Sequence, residues 1–217
     1  RQDVARLQSM IPSPPEAFLP TEQLEPWKRM SARVCRMFDT AEAGIVRIGG
    51  TVNLMRKYSR DGYSRTRIPY DMFQAAREVV EVVLPATGRD VLVDVNAEGE
   101  GLVECIPEEL NQVITNLVQN AIEAVPEGTG HVVIKGTLTD HEVVVQVSDN
   151  GPGIPPDVRQ QIFTPFYSTK GPNRGMGLGL TIVWRVIQSL GGTIALSTEE
   201  GQGTQFTVTL PRSTSRV

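Results

Sequence analysis

From residue 70 to residue 211 the sequence alternates between helical and strand-like patterns, and this alternation constrains the fold more than any other feature. Apolar residues at helical spacing predict three main helices, at 71–84, 107–125 and 178–190. Runs rich in valine, isoleucine and threonine predict six strands, at 91–97, 102–106, 131–138, 142–150, 193–199 and 204–211. A further short helix is expected near 155–163, and Gly191 and Gly192 should close the last main helix. The pattern predicts an α+β domain, a two-layer α/β sandwich whose one sheet is covered on one face by about three helices.

The first part of the chain differs from this body. Residues 1–70 carry an excess of basic side chains, whereas the rest of the 217-residue chain carries an excess of acidic ones, so two modules are expected. Apolar residues that alternate at three and four positions predict one long amphipathic helix over about 26–60. Its partner is either the body of the same chain or, as the length of the stripe favours, another helix of a hairpin or dimer.

Composition excludes several classes of protein. No apolar run approaches the ~20 residues that span a bilayer, and the first residues do not resemble a secretory signal. Cys35 and Cys105 lie in different contexts, so we expect reduced packing residues rather than a disulfide or a metal cluster. The arginines near residue 60 are typical of a solvated helix end, and we expect no nucleic-acid partner.

Polar residues and glycines recur at positions that could form a site. Asn116 and Asn120 leave one face of the second helix, although such a pair alone is weak evidence because polar residues on a helix shoulder are usually solvated. Asp149 ends a strand and is followed by Gly151 and Gly153, which let the backbone approach a flat ring while the carboxylate accepts a hydrogen bond; a plain Asp-Gly turn is the alternative.

A glycine-rich segment follows, with Lys170 and Arg174 before Gly175, Gly177 and Gly179 at a helix start. Such a segment can offer backbone N–H groups to a phosphate chain. Neither a Walker loop nor a dinucleotide fingerprint is present, so the phosphates would be held in another way.

Five motifs, NLVQNAIEA, DNGPGIP, FTPFYSTK, GMGLGL and GQGT, stand in the order and separation of one family. Together they resemble the ATP-binding catalytic domain of bacterial sensor histidine kinases, of the gyrase, chaperone, histidine kinase and mismatch-repair ATPase superfamily, with its Bergerat-type mixed sheet. GIVRIGGTVNLMRKYSR is also similar to the second helix of the kinases' dimerisation and histidine-phosphotransfer hairpin. The resemblance implies a partial hairpin at 1–67 with its first helix truncated, an ATP-binding catalytic domain at 68–212 and a tail at 213–217.

The resemblance also implies roles for residues. Asn120 would bind the Mg²⁺ that bridges the ATP phosphates, with Asn116 in support, and Asp149 would accept a hydrogen bond from the adenine amino group. Lys170 and Arg174, on a lid between residues 167 and 176, would meet the phosphates. The implied nucleotide-binding set is Asn116, Asn120, Asp149, Gly151, Gly153, Ile154, Lys170, Arg174, Gly175, Met176, Gly177, Leu178, Gly179, Leu180 and Thr204.

Position 116 distinguishes this sequence from the relatives that hydrolyse ATP. The resemblance implies that those relatives have a water-activating glutamate at this position. An amide cannot take a proton from water, so a site that holds Mg-ATP for transfer is expected. The expected function is therefore transfer of the γ-phosphoryl group to a histidine, for relay to an aspartate of a response-regulator receiver domain. A nucleotide-binding regulatory module without transfer and a serine/threonine kinase of the anti-sigma type remain open, and a clamp ATPase ranks last.

The family's phosphoacceptor histidine is not evident in this sequence. His131 begins a strand and His141 lies in a turn, so neither suits the role, and we expect the acceptor upstream of Arg1, on the hairpin of the same or a partner subunit. A parent protein that dimerises through this hairpin is expected. The catalytic part should then be cytoplasmic, with membrane anchoring of the parent left open.

Overall fold

The computed structural model describes residues 30, 33, 34, 37, 66–168 and 177–213. The two long ranges belong to one compact unit, and residues 30, 33, 34 and 37 belong to another and are helical. The helices of the first unit are α1 (Met72–Thr87), α2 (Pro107–Ala124) and α3 (Gly179–Ser189). Its strands are β1 (Ile68–Asp71), β2 (Val91–Ala97), β3 (Leu102–Cys105), β4 (Gly130–Leu138), β5 (Glu142–Asp149), β6 (Thr193–Glu199) and β7 (Gly203–Pro211).

Five of these strands form one mixed sheet in the order β2-β4-β5-β7-β6. The β2–β4 pair is parallel, and the other three pairs are antiparallel. A mixed sheet with three helices confirms the predicted fold class. The prediction of a single sheet was wrong, because β3 pairs with β1 in a separate two-stranded ladder.

The hydrophobic core lies between the helices and one face of the five-stranded sheet. Buried and less buried residues alternate along β4, β5 and β7, as expected for strands whose second face is open to water. In α2, Leu110, Ile114, Leu117 and Ala121 recur at helical spacing and are buried. Asparagines at positions 116 and 120 therefore project beside this stripe and not along it.

An arginine outside α2 fixes the end of that helix. Arg89 donates from Nη1 to the carbonyl oxygens of Ile122 at 2.8 Å and Glu123 at 2.9 Å, and from Nη2 to that of Val125 at 2.7 Å. These carbonyls have no partner within the helix, and a guanidinium there also opposes the negative end of the helix dipole. The C-terminal end of α2 is thus held next to the segment that leads into β2.

The short helix expected near 155–163 was not found. Residues 156–163 form successive turns, with Val158 N–H bonded to Pro155, Gln161 to Val158 and Thr164 to Gln161. Each bond spans three residues, and the prolines at 155 and 156 lack the N–H groups of a regular first turn. Most of the long helix expected at 26–60 lies outside the described residues. No helix in the part of the chain that the structure describes is both long and apolar enough to cross a membrane.

Candidate functional site

Asp149 ends β5 beside the start of β7, where its Cα partner is Thr204. Its Oδ1 accepts a hydrogen bond from the Gly151 N–H at 2.9 Å. Burial raises the pKa of the Asp149 carboxyl above its usual value, and hydrogen bonds from the backbone N–H groups of Gly151 and Thr204 lower it in part. The carboxylate is thus fixed by the backbone, and its remaining acceptor capacity is available to a ligand.

Glycines border this carboxylate where side chains would not fit. A Cβ on Gly151 would lie 3.0 Å from the Ala124 carbonyl oxygen at the end of α2, and one on Gly153 would lie 2.1 Å from the carbonyl oxygen of Glu199. Gly153 also has a φ of +72°, in the left-handed region that favours glycine. The turn after Asp149 is therefore packed between the end of α2 and the β6–β7 turn.

A threonine of β6 connects this turn to β7. Thr198 Oγ1 accepts from the Ile154 N–H at 2.9 Å and donates to the Gly203 carbonyl oxygen at 2.9 Å. It also lies 3.2 Å from Thr204 Oγ1, which belongs to a residue that is only 8% exposed. Ile154 itself packs against the core. The Thr198 hydroxyl group is therefore hydrogen-bonded both to the loop after β5 and to the start of β7.

Asn116 lies further back along α2, near the start of α3. Its Nδ2 is buried and has no hydrogen-bond partner among the residues that the structure describes. A Cβ on Gly179 would lie 3.2 Å from Asn116 Oδ1, so the absent side chain at Gly179 lets the amide approach the α3 backbone. A buried donor without a partner is costly, and a ligand oxygen would satisfy it.

The N-terminus of α3 offers backbone N–H groups at the same place. Leu178 is the N-cap residue and makes no side-chain cap bond, so no side chain from this position satisfies the first N–H groups. Gly177 has a φ of +65°, and its carbonyl oxygen accepts from the Phe166 N–H at 2.9 Å. An uncapped helix start beside an amide donor suits an anion.

The Asp149 carboxylate and the Asn116 amide lie near opposite ends of one stretch of α2. Ala124 lies eight positions after Asn116, which at helical rise corresponds to about 12 Å. Asn120 lies one turn from Asn116 on the same side and is partly buried. This arrangement suits a ligand with a ring at one end and phosphates at the other.

The described residues include eleven of the fifteen that the sequence singled out. Asp149, Gly151, Gly153, Ile154 and Thr204 come together around the end of β5, and Asn116 meets Gly179 at the start of α3. Leu178 is buried, and Leu180 is partly buried against the core. The other four residues, Lys170, Arg174, Gly175 and Met176, lie outside the described residues.

Sequence reasoning missed Thr198 and the carbonyl oxygen of Ala124. A signal for Thr198 existed, because Thr198 and Thr204 are Cα partners in the β6–β7 hairpin. Pairing the two predicted strands across the EGQG turn would have placed the two threonines opposite each other. Nothing in the local sequence indicates the close approach of Ala124 to Gly151.

The fold and this polar edge define a domain of the nucleotide-binding α/β class. The family model described as "Histidine kinase-, DNA gyrase B-, and HSP90-like ATPase" matches residues 105–214, and the chain belongs to this family.

Curated relatives and solved structures agree with this membership. Sporulation kinase D of Bacillus subtilis is 39% identical over 52% of this chain and 22% of its own length. The sensor histidine kinase ZraS of Escherichia coli is 37% identical over 63% of this chain and 27% of its own length. The chain thus spans about a quarter of the length of these curated relatives.

Solved kinase domains match over most of their length. The catalytic domain of histidine kinase ThkA shares 32% identity and a TM-score of 0.60, over 67% of this chain and 95% of that one. The mycobacterial sensor histidine kinase MprB shares 27% identity and a TM-score of 0.61, over 67% of this chain and 97% of that one.

Proposed function

We propose that this chain contains the catalytic core of a two-component sensor histidine kinase. It binds Mg-ATP and passes the γ-phosphoryl group to a histidine, for relay to an aspartate of a response-regulator receiver domain. One observation carries the proposal: a fixed carboxylate and an orphaned amide lie at the two ends of one stretch of α2, beside an uncapped helix start. The names of the relatives support the same reaction.

The base of the nucleotide binds at the Asp149 end in this proposal. The carboxylate accepts a hydrogen bond from the exocyclic amino group of adenine, while Gly151 and Gly153 let the turn after Asp149 pack closely against the end of α2 and the β6–β7 turn, which holds the carboxylate in place. Thr204 supports the same end through its hydroxyl group. Ionised carboxylates are strong acceptors, so the base should lose much of its affinity when Asp149 is replaced.

The phosphates bind at the other end. The orphaned Nδ2 of Asn116 donates to a phosphate oxygen, and the first N–H groups of α3, after Gly177 and Leu178, donate to the same chain of phosphates. Lys170 and Arg174 add positive charge in this proposal. Positioning and charge neutralisation, more than covalent chemistry, are what phosphoryl transfer requires of a protein.

The residues present fit a magnesium ion that is held mainly by the nucleotide. The described residues contain no group of three or more His, Cys, Asp or Glu that could hold a metal ion on its own. Mg²⁺ usually retains waters and takes one or two protein oxygens together with substrate phosphates, so the Asn120 side-chain oxygen is a sufficient protein ligand. When bound, the ion neutralises charge that develops on the phosphates.

The amide at position 116 separates transfer from hydrolysis. An amide does not act as a general base at neutral pH, so water near the γ-phosphate is not activated from this position. The phosphoryl group then waits for an external nucleophile. Neither described histidine suits this role, because His131 Nε2 is 2.8 Å from Asp94 on the sheet and His141 lies in the β4–β5 turn.

The partners and the division of the chain follow from the same proposal. Residues 1–67 form part of a helical hairpin and residues 68–212 the ATP-binding domain, on which Ser213, expected to begin a tail, also packs through the hydrogen bond of its N–H to the Leu102 carbonyl oxygen. The acceptor histidine is presented by a phosphotransfer hairpin, of the same subunit or of its partner in a homodimer. The domain then works on the cytoplasmic side, where ATP is available.

Calorimetry with a non-hydrolysable ATP analogue and Mg²⁺ tests the binding step. Asp149→Ala removes a hydrogen bond to a charged group, which is worth roughly 1.5–3 kcal/mol, and Asn120→Ala removes the proposed protein ligand of Mg²⁺, so each should lower affinity by about tenfold or more. Asn96→Ala and Asp140→Ala are matched controls, since both residues are exposed and away from the site, and they should bind as the parent chain does. If both site variants retained full affinity, the assignment of the site would be wrong.

Labelled ATP tests the transfer step. With a hairpin that carries a histidine, the chain should produce phosphate that is labile to acid and stable to base. Acid-stable phosphate on the acceptor would instead indicate a serine or threonine kinase. If the chain bound ATP but the acceptor stayed unlabelled, the kinase reaction would be refuted and the chain would be a nucleotide-binding regulatory module.

A further inference from the structure

Thr198 is the meeting point of three segments around the base-binding end of the site. Its Oγ1 accepts from the Ile154 N–H at 2.9 Å, donates to the Gly203 carbonyl oxygen at 2.9 Å and lies 3.2 Å from Thr204 Oγ1. The neighbouring turns make a further contact, from the Gly201 N–H to the Pro152 carbonyl oxygen at 2.7 Å. Thr198 is therefore the side chain that joins the loop after Asp149 to the β6–β7 hairpin.

The protons of this cluster can be assigned by elimination. A hydroxyl group has one proton and two lone pairs, and a carbonyl oxygen can only accept. The proton of Thr198 is therefore used by the Gly203 carbonyl oxygen, and one of its lone pairs by the Ile154 N–H. The contact between the two threonines can then only be a hydrogen bond that Thr204 donates. Its proton points to Thr198, and Thr204 Oγ1 is left with acceptor capacity alone.

This acceptor lies beside another one. Asp149 and Thr204 are Cα partners on neighbouring strands, and the backbone N–H of Thr204 is hydrogen-bonded to the Asp149 carboxylate. A ligand that approaches both side chains meets two acceptors, which attract an amino group and repel a carbonyl oxygen.

We infer that Thr198 is a positioning residue for base recognition: by taking the proton of Thr204 it holds that hydroxyl as an acceptor, and so favours a 6-amino purine over a 6-oxo purine. This inference rests on the proposed nucleotide function. It concerns a residue that has no direct contact with the ligand and acts through the orientation of another hydroxyl group.

The test compares ADP with inosine diphosphate, which carries an oxygen in place of the 6-amino group and also a proton on N1. Because the N1–H can donate to Asp149 in the parent and in every variant alike, the variants are compared by the change in the ratio of the two dissociation constants. Binding of both to the full chain is measured by calorimetry with Mg²⁺ for the parent, Thr198→Ser and Thr198→Val. The serine variant keeps the hydroxyl group and should show the parent's ratio of dissociation constants. The valine variant frees the Thr204 proton for the 6-oxo group, so the preference for ADP should fall by about fivefold.

A second comparison separates orientation from support of the turn. Valine also removes the partner of the Ile154 N–H, which could weaken both nucleotides equally. In a Thr204→Val background there is no hydroxyl to orient, so Thr198→Val should no longer change the ratio. If thermal unfolding shows that Thr198→Val does not fold, Thr198→Ala takes its place in both comparisons, because the smaller side chain also lacks the hydroxyl group.

The outcomes are distinct. A fall in the ADP preference that the serine variant restores and that the Thr204→Val background abolishes supports the inference. Equal weakening of both nucleotides, an unchanged ratio, or the same result with serine as with valine would overturn it. A parent chain that binds neither nucleotide would instead refute the proposed function.

Discussion

Gly203 gives the sharpest test of how the site is built. It begins β7 with a φ of +98°, and a Cβ at this position would lie 2.0 Å from the Asp149 carbonyl oxygen. Real Cβ atoms do not approach closer than 3.0 Å, so Gly203→Ala must move the two strands apart by about 1 Å. The strained φ costs about 1–2 kcal/mol. Overpacking and a weakened ladder hydrogen bond bring the expected loss of stability to about 3–6 kcal/mol.

The same turn offers a matched control. Gly201 has a φ of +81°, but nothing lies within 4 Å of a Cβ at this position. Gly201→Ala should therefore cost only the backbone strain, about 1–2 kcal/mol. Urea unfolding of both variants measures the difference, and calorimetry with ADP should show that only Gly203→Ala weakens binding, because only it displaces Asp149. Equal losses of stability in the two variants would refute the argument from close approach.

Three further predictions concern the helix end, the buried thiol and the carboxylate. Arg89→Ala should lower the free energy of unfolding by about 2–3 kcal/mol in urea, and Arg89→Lys should recover little, because one ammonium group does not reach three carbonyls in the same way. Cys105 is fully buried, and burial raises the pKa of its thiol to about 11, so in a Cys35→Ser background it should react with a maleimide at least about 100-fold more slowly than an exposed thiol of pKa 9.0, until urea unfolds the chain. Because burial raises the pKa of Asp149, ADP affinity should fall as the pH is lowered through that raised value, and Asp149→Asn should remove this dependence. A flat pH profile in the parent chain would count against a role for the ionised carboxylate.

Much of the fold could be predicted because local patterns and tertiary structure agree. The apolar stripe of α2 has helical spacing, and Pro107 stands at its first turn with Glu108 and Glu109 beside the positive end of the dipole. At the end of α3, the N–H of Gly192 bonds to Ile187 and that of Gly191 to Gln188, as expected for a helix closed by glycines. These features depend only on neighbours in the sequence.

The errors arose where distant segments decide the structure. Residues 155–163 have a composition that suits a helix, but the chain returns to the core at Ile162. The turns there form backbone hydrogen bonds between residues three positions apart, and not the four of an α-helix. The strand at 102–105 could be predicted, but not its pairing with β1, because strand patterns carry little information about partners.

The candidate site shows the same division. Its glycines and polar residues were visible as motifs, and the structure brings Asp149 next to Gly151 and Thr204. The orphaned amide of Asn116 and the shared hydroxyl of Thr198 were not visible, because both depend on contacts between elements far apart in the chain.

The order of the central strands has a consequence for how this protein folds during its synthesis. β5 and β7 are neighbours in the sheet, yet Asp149 meets Thr204 only after the chain has passed through α3 and β6. Chains emerge from the ribosome from the N-terminus at roughly 5–20 residues per second, and domains fold as units. When Asp149 has left the ribosome but Thr204 has not, the nascent chain already contains all of α2. It cannot yet form the end of the site that would bind the base. Chains that stop before β7 should therefore be unable to bind nucleotide, and competence to bind should appear in one step, once β7 has left the ribosome.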